Sequence, residues 1–153
     1  MEDPYHLDNI DEAANMFLKH LEKGSHIRIY VDSDPDGFTS ASVLYNYMTE
    51  NLKELYPNFT ISYHIPDGKE HGLEMVMDEL TNSKICDLII MPDSSSNDYE
   101  EHKILKEMGY DIIVLDHHNA SSYSENAIVV NNQLSERYEN KMASGVGIVF
   151  KFL

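Results

Sequence analysis

Apolar residues recur along this chain in two patterns, one at helical spacing and one in short continuous runs. The helical pattern predicts helices over residues 9–23, 39–55, 71–80 and 98–108, and a further helix from residue 144. The continuous runs predict strands over residues 27–31, 85–91, 111–115 and 127–130, and a segment rich in β-forming residues predicts another over residues 60–65. Strands that are apolar on both faces and alternate with helices are typical of a covered parallel sheet. We therefore predict an α/β, Rossmann-like fold with a mainly parallel five-stranded sheet and helices on both faces.

Polar residues cluster directly after four of the predicted strands. These clusters cover residues 32–37, 66–68, 91–96 and 116–119. The C-terminal ends of parallel strands meet at one edge of a sheet, where such folds bind their ligands. The sequence therefore predicts that these clusters converge on one functional site.

The converging side chains are mostly carboxylates, with a minority of imidazoles. Like charges at close range raise each other's pKa, and divalent cations remove this cost. Oxygen-rich ligands suit Mn²⁺ or Mg²⁺ better than Zn²⁺, and a set of this size is large enough for two ions. A calcium loop of the EF-hand type is excluded because Val43 stands where its Glu is required. Taken alone, the acids of residues 32–36 would fit a solvated turn and helix start equally well.

Composition narrows the class of protein. The 153 residues are 42% hydrophobic and 25% charged, which argues against disorder. The net charge is −16 and basic residues are scattered, which argues against a large phosphate-tracking surface within these residues. Cys86 has no partner for an internal disulfide, and no apolar run is long enough for a membrane span. We expect a cytoplasmic protein with no membrane partner.

Three ordered motifs resemble those of the DHH phosphoesterase family. They are Asp116-His117-His118 after an apolar strand, Asp93 after another, and Asp32-Ser33-Asp34-Pro35-Asp36-Gly37 followed by Ser40. The helix start Ser144-Gly145-Val146-Gly147 also fits, and the match covers residues 27–153. Within the family, residues 65–73 are similar to a segment of RecJ-type single-strand exonucleases. The resemblance implies a DHH domain that hydrolyses phosphodiester bonds with two Mn²⁺ or Mg²⁺ ions.

The resemblance also implies metal ligands. Asp93 would bridge the two ions and is implied to be catalytic. Asp34 and Asp36 would each contribute to one ion, with His117 beside Asp36. Asp32 matches an acid of the RecJ branch and is expected to be a ligand or to lie next to one.

Two further residues receive roles from the resemblance. His118 would contact the scissile phosphate as a catalytic residue, and Asp116 would orient the imidazoles. Two departures weaken the comparison: Tyr30 stands where several relatives carry a ligating His, and Lys69 stands in a loop where many RecJ proteins carry an Arg.

The expected domain organisation is a helical segment, residues 1–24, that packs on a DHH catalytic domain, residues 25–153. The family's last metal-binding Asp and its C-terminal substrate-binding domain are expected to lie outside these residues, so we expect the chain alone to be inactive. The leading hypothesis is a RecJ-like exonuclease that acts on single-stranded DNA. The alternatives are a phosphoesterase for a short oligonucleotide, cyclic dinucleotide or pyrophosphate, and a degenerate domain without turnover.

Overall fold

Five parallel strands form the centre of the part of the chain that the computed structural model describes, residues 2–68 and 71–153. The strands are β1 (His26–Tyr30), β2 (Thr60–His64), β3 (Leu88–Pro92), β4 (Asp111–Asp116) and β5 (Ile128–Asn131). The helices are α1 (Ile10–Lys23), α2 (Pro35–Tyr47), α3 (Met77–Asn82), α4 (Tyr99–Glu107) and α5 (Gly145–Phe152). The prediction for Lys69 lies outside the described residues.

The strand order is β2-β1-β3-β4-β5, and each neighbouring pair is parallel. The predicted fold class is confirmed, and the described sheet is parallel throughout. After β2 the chain crosses over β1 to build the rest of the sheet on its other side. The connections after β1 and β3 therefore diverge at this switch point, which is where such sheets bind ligands.

Both faces of the sheet are buried at β3, β4 and β5, as the continuous apolar runs predicted, whereas the edge strand β2 is partly exposed. Leu88 and Ile90 belong to a core shared with α1, α2 and α5, whereas Ile89 and Met91 belong to a core shared with α3 and α4. Alternate residues of one strand thus face opposite layers, and each layer requires apolar side chains. No helix in the described ranges has the length and apolar character that crossing a lipid bilayer requires.

Several of the predicted helix boundaries are wrong. The helix expected over residues 71–80 is a short 3₁₀ turn, Glu74–Val76, followed by α3. The second helix begins earlier than predicted because Asp34 caps it and Pro35 stands in its first turn, and it continues beyond Tyr47 as a π-helical segment, Met48–Leu52. Asn9 precedes α1 but makes no side-chain cap. Its Nδ2 instead donates to Val129 O at 2.9 Å.

Candidate metal centre

The loop after β1 and the first turn of α2 carry three of the predicted ligands: Asp32 and Asp34 lie in the loop, and Asp36 lies in the helix. Asp34 Oδ1 accepts a hydrogen bond of 2.8 Å from Gly37 N, and this bond holds the pKa of the Asp34 carboxyl below its usual range. Glycine is required at position 37 because a Cβ atom there would lie 2.5 Å from Asp32 Cβ. The turn from β1 into α2 is therefore tight and keeps the three carboxylates near the C-terminal end of β1.

Asp36 is held by the first turn of α5. Gly145 N lies 2.9 Å from Asp36 Oδ2, and Val146 N lies 3.3 Å from Asp36 Oδ1. The first N–H groups of a helix have no partner within the helix, so a carboxylate is a favourable acceptor for them. A helix far along the sequence thus orients a carboxylate of the first motif.

Asp93 follows β3 and is fully buried, with a backbone φ of 76° in the left-handed region. Neither of its carboxylate oxygens has a hydrogen-bond partner among the described residues, although His117 Nε2 lies 3.1 Å from Oδ1 as an ion-pair contact. Burial, and then the charges of Asp36 and Asp34, raise the pKa of the Asp93 carboxyl to about 8. A buried carboxylate with unpartnered oxygens fits a metal ligand, because a bound cation would compensate both the burial of the charge and the missing hydrogen bonds.

The residues after β4 form a compact unit around the Asp116 carboxylate. Asp116 Oδ1 accepts bonds of 2.7 Å from His117 N and 3.2 Å from His118 N, and it lies 2.8 Å from His118 Nδ1. Burial alone would raise the pKa of Asp116, but hydrogen bonds from His118 and Ser96 outweigh it and lower the pKa to about 2. The same hydrogen bond to Asp116 raises the pKa of His118 to about 9.

The predicted site residues meet at the C-terminal edge of the sheet. Ligand atoms of Asp32, Asp34 and Asp93 lie within 4.8 Å of one another, as do those of Asp93, His117 and His118. His117 Nε2 is also 3.6 Å from the Oδ2 atom of the Asp36 carboxylate. Asp93 belongs to both groups, and the oxygen-rich donor set fits Mn²⁺ or Mg²⁺.

Sequence reasoning missed His71. Its Nδ1 lies 2.9 Å from Asp32 Oδ2 and 3.1 Å from Asp32 Oδ1, so it contacts a predicted ligand directly. His71 follows β2 in a polar segment, and β2 ends at the same edge of the sheet as β1. That position was the signal in the sequence that could have identified it.

Asn131 was also missed. This buried residue ends β5, and its Nδ2 donates to Ser96 Oγ at 2.8 Å and to His118 O at 2.9 Å. It therefore joins the loop after β3 to the loop after β4. A polar residue directly after the apolar run of residues 127–130 was the signal that could have identified it.

The described residues form a parallel α/β sheet with a carboxylate-rich candidate metal site at its switch point. Residues 26–153 match the family model described as "DHH family, N-terminal domain". The chain belongs to the DHH family, and the resemblance seen in its motifs is confirmed.

Among curated proteins, the chain is similar to YorK of an SPbeta prophage in Bacillus subtilis, whose assignment as a single-strand DNA-specific exonuclease is itself provisional. The identity is 45% over 148 residues, which is 95% of this chain and 24% of YorK. The single-stranded-DNA-specific exonuclease RecJ of Bacillus subtilis is 32% identical over 154 residues, which is 97% of this chain and 19% of RecJ. The chain therefore spans a quarter or less of the length of these relatives.

Solved structures of RecJ share the fold. RecJ from Thermus thermophilus in complex with Mn²⁺ has a TM-score of 0.76 and 26% identity, over 95% of this chain and 20% of RecJ. A second RecJ exonuclease structure, bound to manganese, has a TM-score of 0.77 and 25% identity, over 95% of this chain and 36% of that chain.

Proposed function

We propose that this chain carries the catalytic site of a RecJ-like exonuclease that hydrolyses phosphodiester bonds of single-stranded DNA. The observation that carries the proposal is the buried, unpartnered carboxylate of Asp93, in contact with His117 and near the carboxylates of the first motif. The names of the relatives support the DNA substrate, and the manganese in the similar RecJ structures supports the metal.

Five residues would hold two Mn²⁺ or Mg²⁺ ions. They are Asp32, Asp34, Asp36, Asp93 and His117. Asp93 is suited to bind both ions, because its carboxylate belongs to both groups of converging side chains. When bound, the cations would supply the Lewis acidity that activates water and neutralises phosphate charge. Gly145 supports this arrangement, since its N–H orients Asp36 and its lack of a side chain leaves space for Asp93.

His118 is proposed to act on the phosphate. Its ring is half exposed, whereas Asp116, which fixes the ring at Nδ1, is buried. A doubly protonated imidazole can donate from Nε2 to a phosphate oxygen and stabilise the charge that develops there, or give its proton to the leaving oxygen. Asp116 is then a positioning residue: it sets the direction and the protonated form of the His118 ring.

The strong acidity of the chain favours a second candidate. With a net charge of −16, these residues offer a long polyanionic strand little attraction beyond the metal site. For DNA, the backbone contacts would come from protein outside these residues. A short oligonucleotide, a cyclic dinucleotide or pyrophosphate would need fewer such contacts. This difference is the argument in favour of a small-substrate phosphoesterase.

Digestion assays with Mn²⁺ test the proposal on the protein that carries this chain. We expect release of mononucleotides from end-labelled single-stranded DNA, little release from duplex DNA, and complete loss in Asp93→Ala. Preferred turnover of a cyclic dinucleotide or pyrophosphate would favour the second candidate. If Mn²⁺ fails to bind the wild-type protein and Asp93→Ala digests DNA normally, the proposed metal site is wrong.

A further inference from the structure

A cleft of about 410 Å³ opens at the same edge of the sheet, beside the loop that carries Asp93. Its wall includes His71 from the segment after β2 and His118 from the segment after β4, with Ser94 and Ser96 between β3 and α4. The cleft therefore brings together an imidazole that the proposed function uses and one that it does not.

The two imidazoles are held in the same way. His71 Nδ1 lies 2.9 Å from Asp32 Oδ2, and His118 Nδ1 lies 2.8 Å from Asp116 Oδ1. In both pairs the carboxylate side chain is 1% exposed, whereas the imidazole is 60% exposed in His71 and 53% exposed in His118. A buried carboxylate at Nδ1 fixes the orientation of a ring and leaves its Nε2 as the atom available to a ligand.

Three carboxylates of the cleft lining already have partners: Asp32 contacts His71, Asp116 contacts His118, and Asp98 accepts from Leu73 N and Ser95 Oγ. The polar groups that remain suit an anion with several oxygens. Among the described residues, His71 Nε2 contacts only Ser33 Oγ, at a long 3.4 Å, so this nitrogen is open to a ligand in the cleft. Ser94 Oγ is buried without a hydrogen-bond partner among the described residues, and a hydroxyl can donate to an anion. Two imidazoles and a hydroxyl match the several acceptor oxygens of a phosphate group.

We propose that His71 is a second phosphate-contacting residue of this site, acting with His118 on a phosphate group of the substrate that occupies the cleft. The inference rests on the proposed function and deepens it, since it names the residue that holds substrate beside the metal ligands. It assigns Asp32 a second task, because the same carboxylate that is expected at the metal would also orient His71.

Binding of small probes to the full chain tests this inference. Thymidine 5′-monophosphate carries a terminal phosphate, the dinucleotide TpT carries only an internal phosphodiester, and thymidine carries neither. Each is titrated in the presence of saturating Mg²⁺ into wild type, His71→Gln and the control His6→Gln, which removes another exposed imidazole, outside the cleft. Mn²⁺ affinity is measured calorimetrically for all three proteins, and imidazole ¹⁵N shifts are followed during each titration.

We expect His71→Gln to weaken binding of a phosphate-bearing probe about tenfold, the effect of one charge-assisted hydrogen bond. Thymidine binding and Mn²⁺ affinity should stay unchanged, and His6→Gln should behave as wild type. Whether the monophosphate or TpT loses affinity identifies the phosphate as terminal or internal. The His71 Nε2 resonance should shift with that probe and not with thymidine.

Three results would overturn the inference. Unchanged phosphate affinity in His71→Gln would exclude His71 while leaving the proposed metal site intact. If His71→Gln lost Mn²⁺ affinity by the same factor as phosphate affinity, His71 would be shown to act by positioning Asp32. Absence of phosphate-probe binding by the wild type, with Mg²⁺ bound, would exclude the subsite. Failure of the proposed function is distinguishable, because it appears as a wild type that binds no Mn²⁺.

Discussion

Gly145 lies so close to Asp93 that a Cβ atom at position 145 would stand 1.9 Å from Asp93 Oδ1. The same residue donates its N–H to the Asp36 carboxylate at 2.9 Å. One glycine at the start of α5 therefore permits the position of one proposed ligand and orients another. The requirement for glycine at position 145 is steric, since the first turn of a helix attracts carboxylates whichever residue begins it.

Replacing Gly145 by alanine should disrupt the metal centre. The added methyl group overlaps the Asp93 carboxylate, so either the carboxylate or α5 must move, and Mn²⁺ affinity should fall at least tenfold, which corresponds to about 1.4 kcal/mol of binding free energy. Isothermal titration calorimetry with Mn²⁺ measures the change. Gly147→Ala is the matched control in the same helix, because its nearest neighbour would be Ala143 Cβ at an ordinary 3.7 Å. Equal Mn²⁺ affinity in both variants would contradict the steric argument.

Asp93→Asn should separate stability from metal binding. Without metal, the substitution removes a buried carboxylate that is close to the charges of Asp36 and Asp34, so thermal unfolding in EDTA should occur at a higher temperature than in wild type. With Mn²⁺, wild type should gain stability because the ion binds the folded state only, and Asp93→Asn should gain little. Differential scanning calorimetry with and without Mn²⁺ measures both effects. A large Mn²⁺-induced stabilisation of Asp93→Asn would argue against Asp93 as a ligand.

His118→Gln should lower the rate of phosphodiester cleavage while leaving the metals in place. The imidazole is proposed to act on phosphate, and such groups typically contribute about 10²–10⁴ in rate. Single-turnover digestion of labelled single-stranded DNA gives the rate, and Mn²⁺ titration gives the affinity. Asp93→Ala is the comparison, because it should lose both properties. A loss of Mn²⁺ affinity in His118→Gln as large as that in Asp93→Ala would reassign His118 as a metal ligand.

His102 should make the folded state less stable in acid. Burial lowers the pKa of this ring to about 4 from 6.5, despite the opposing charge of Asp98. The unfolded chain therefore binds a proton below about pH 6.5 that the folded chain takes up only near pH 4. The His102 contribution is complete above pH 6.5, and roughly 2 to 3 kcal/mol of it is lost as pH falls to about 4.

Urea unfolding at several pH values tests the contribution of His102. The difference in unfolding free energy between wild type and His102→Gln should change with pH between 6.5 and 4 and stay constant above 6.5. His6→Gln serves as the control, because this side chain is about half exposed. Parallel pH profiles for wild type and His102→Gln would show that His102 does not titrate as described.

The sheet and the ends of its strands were predictable from sequence because burial on both faces demands continuous apolar runs. The apolar run of residues 85–91, followed by an acid, predicted Asp93 at the edge of the sheet where it lies after β3. The resemblance to the DHH family then gave each of the three motifs an expected role in the site. Helix ends were less predictable, since the start of α2 depends on a single side-chain bond between Asp34 and Gly37.

His71 and Asn131 were not assigned to the site, although each follows a predicted strand. Each is polar, lies outside the three motifs and acts through a contact that connects separate crossovers of the sheet. The pairing of His71 with Asp32 exists only because β2 and β1 are neighbours in register, which the apolar pattern does not specify. Similarly, the bonds from Asn131 depend on the position of β5 beside β4.

The exclusively parallel pairing of the described strands also governs when the site can form during folding. Each strand must wait for a complete crossover before it meets its neighbour, so no hairpin can nucleate the sheet, and long-range pairing of this kind is intrinsically slow. Asp93 reaches the acids of the first motif when β3 docks on β1, His117 arrives with β4, and the donors to Asp36 arrive only with α5. A cation would therefore find these ligands together only after β3, β4 and α5 have all packed against the sheet. Mn²⁺ should accordingly slow unfolding of the native state and leave the refolding rate unchanged.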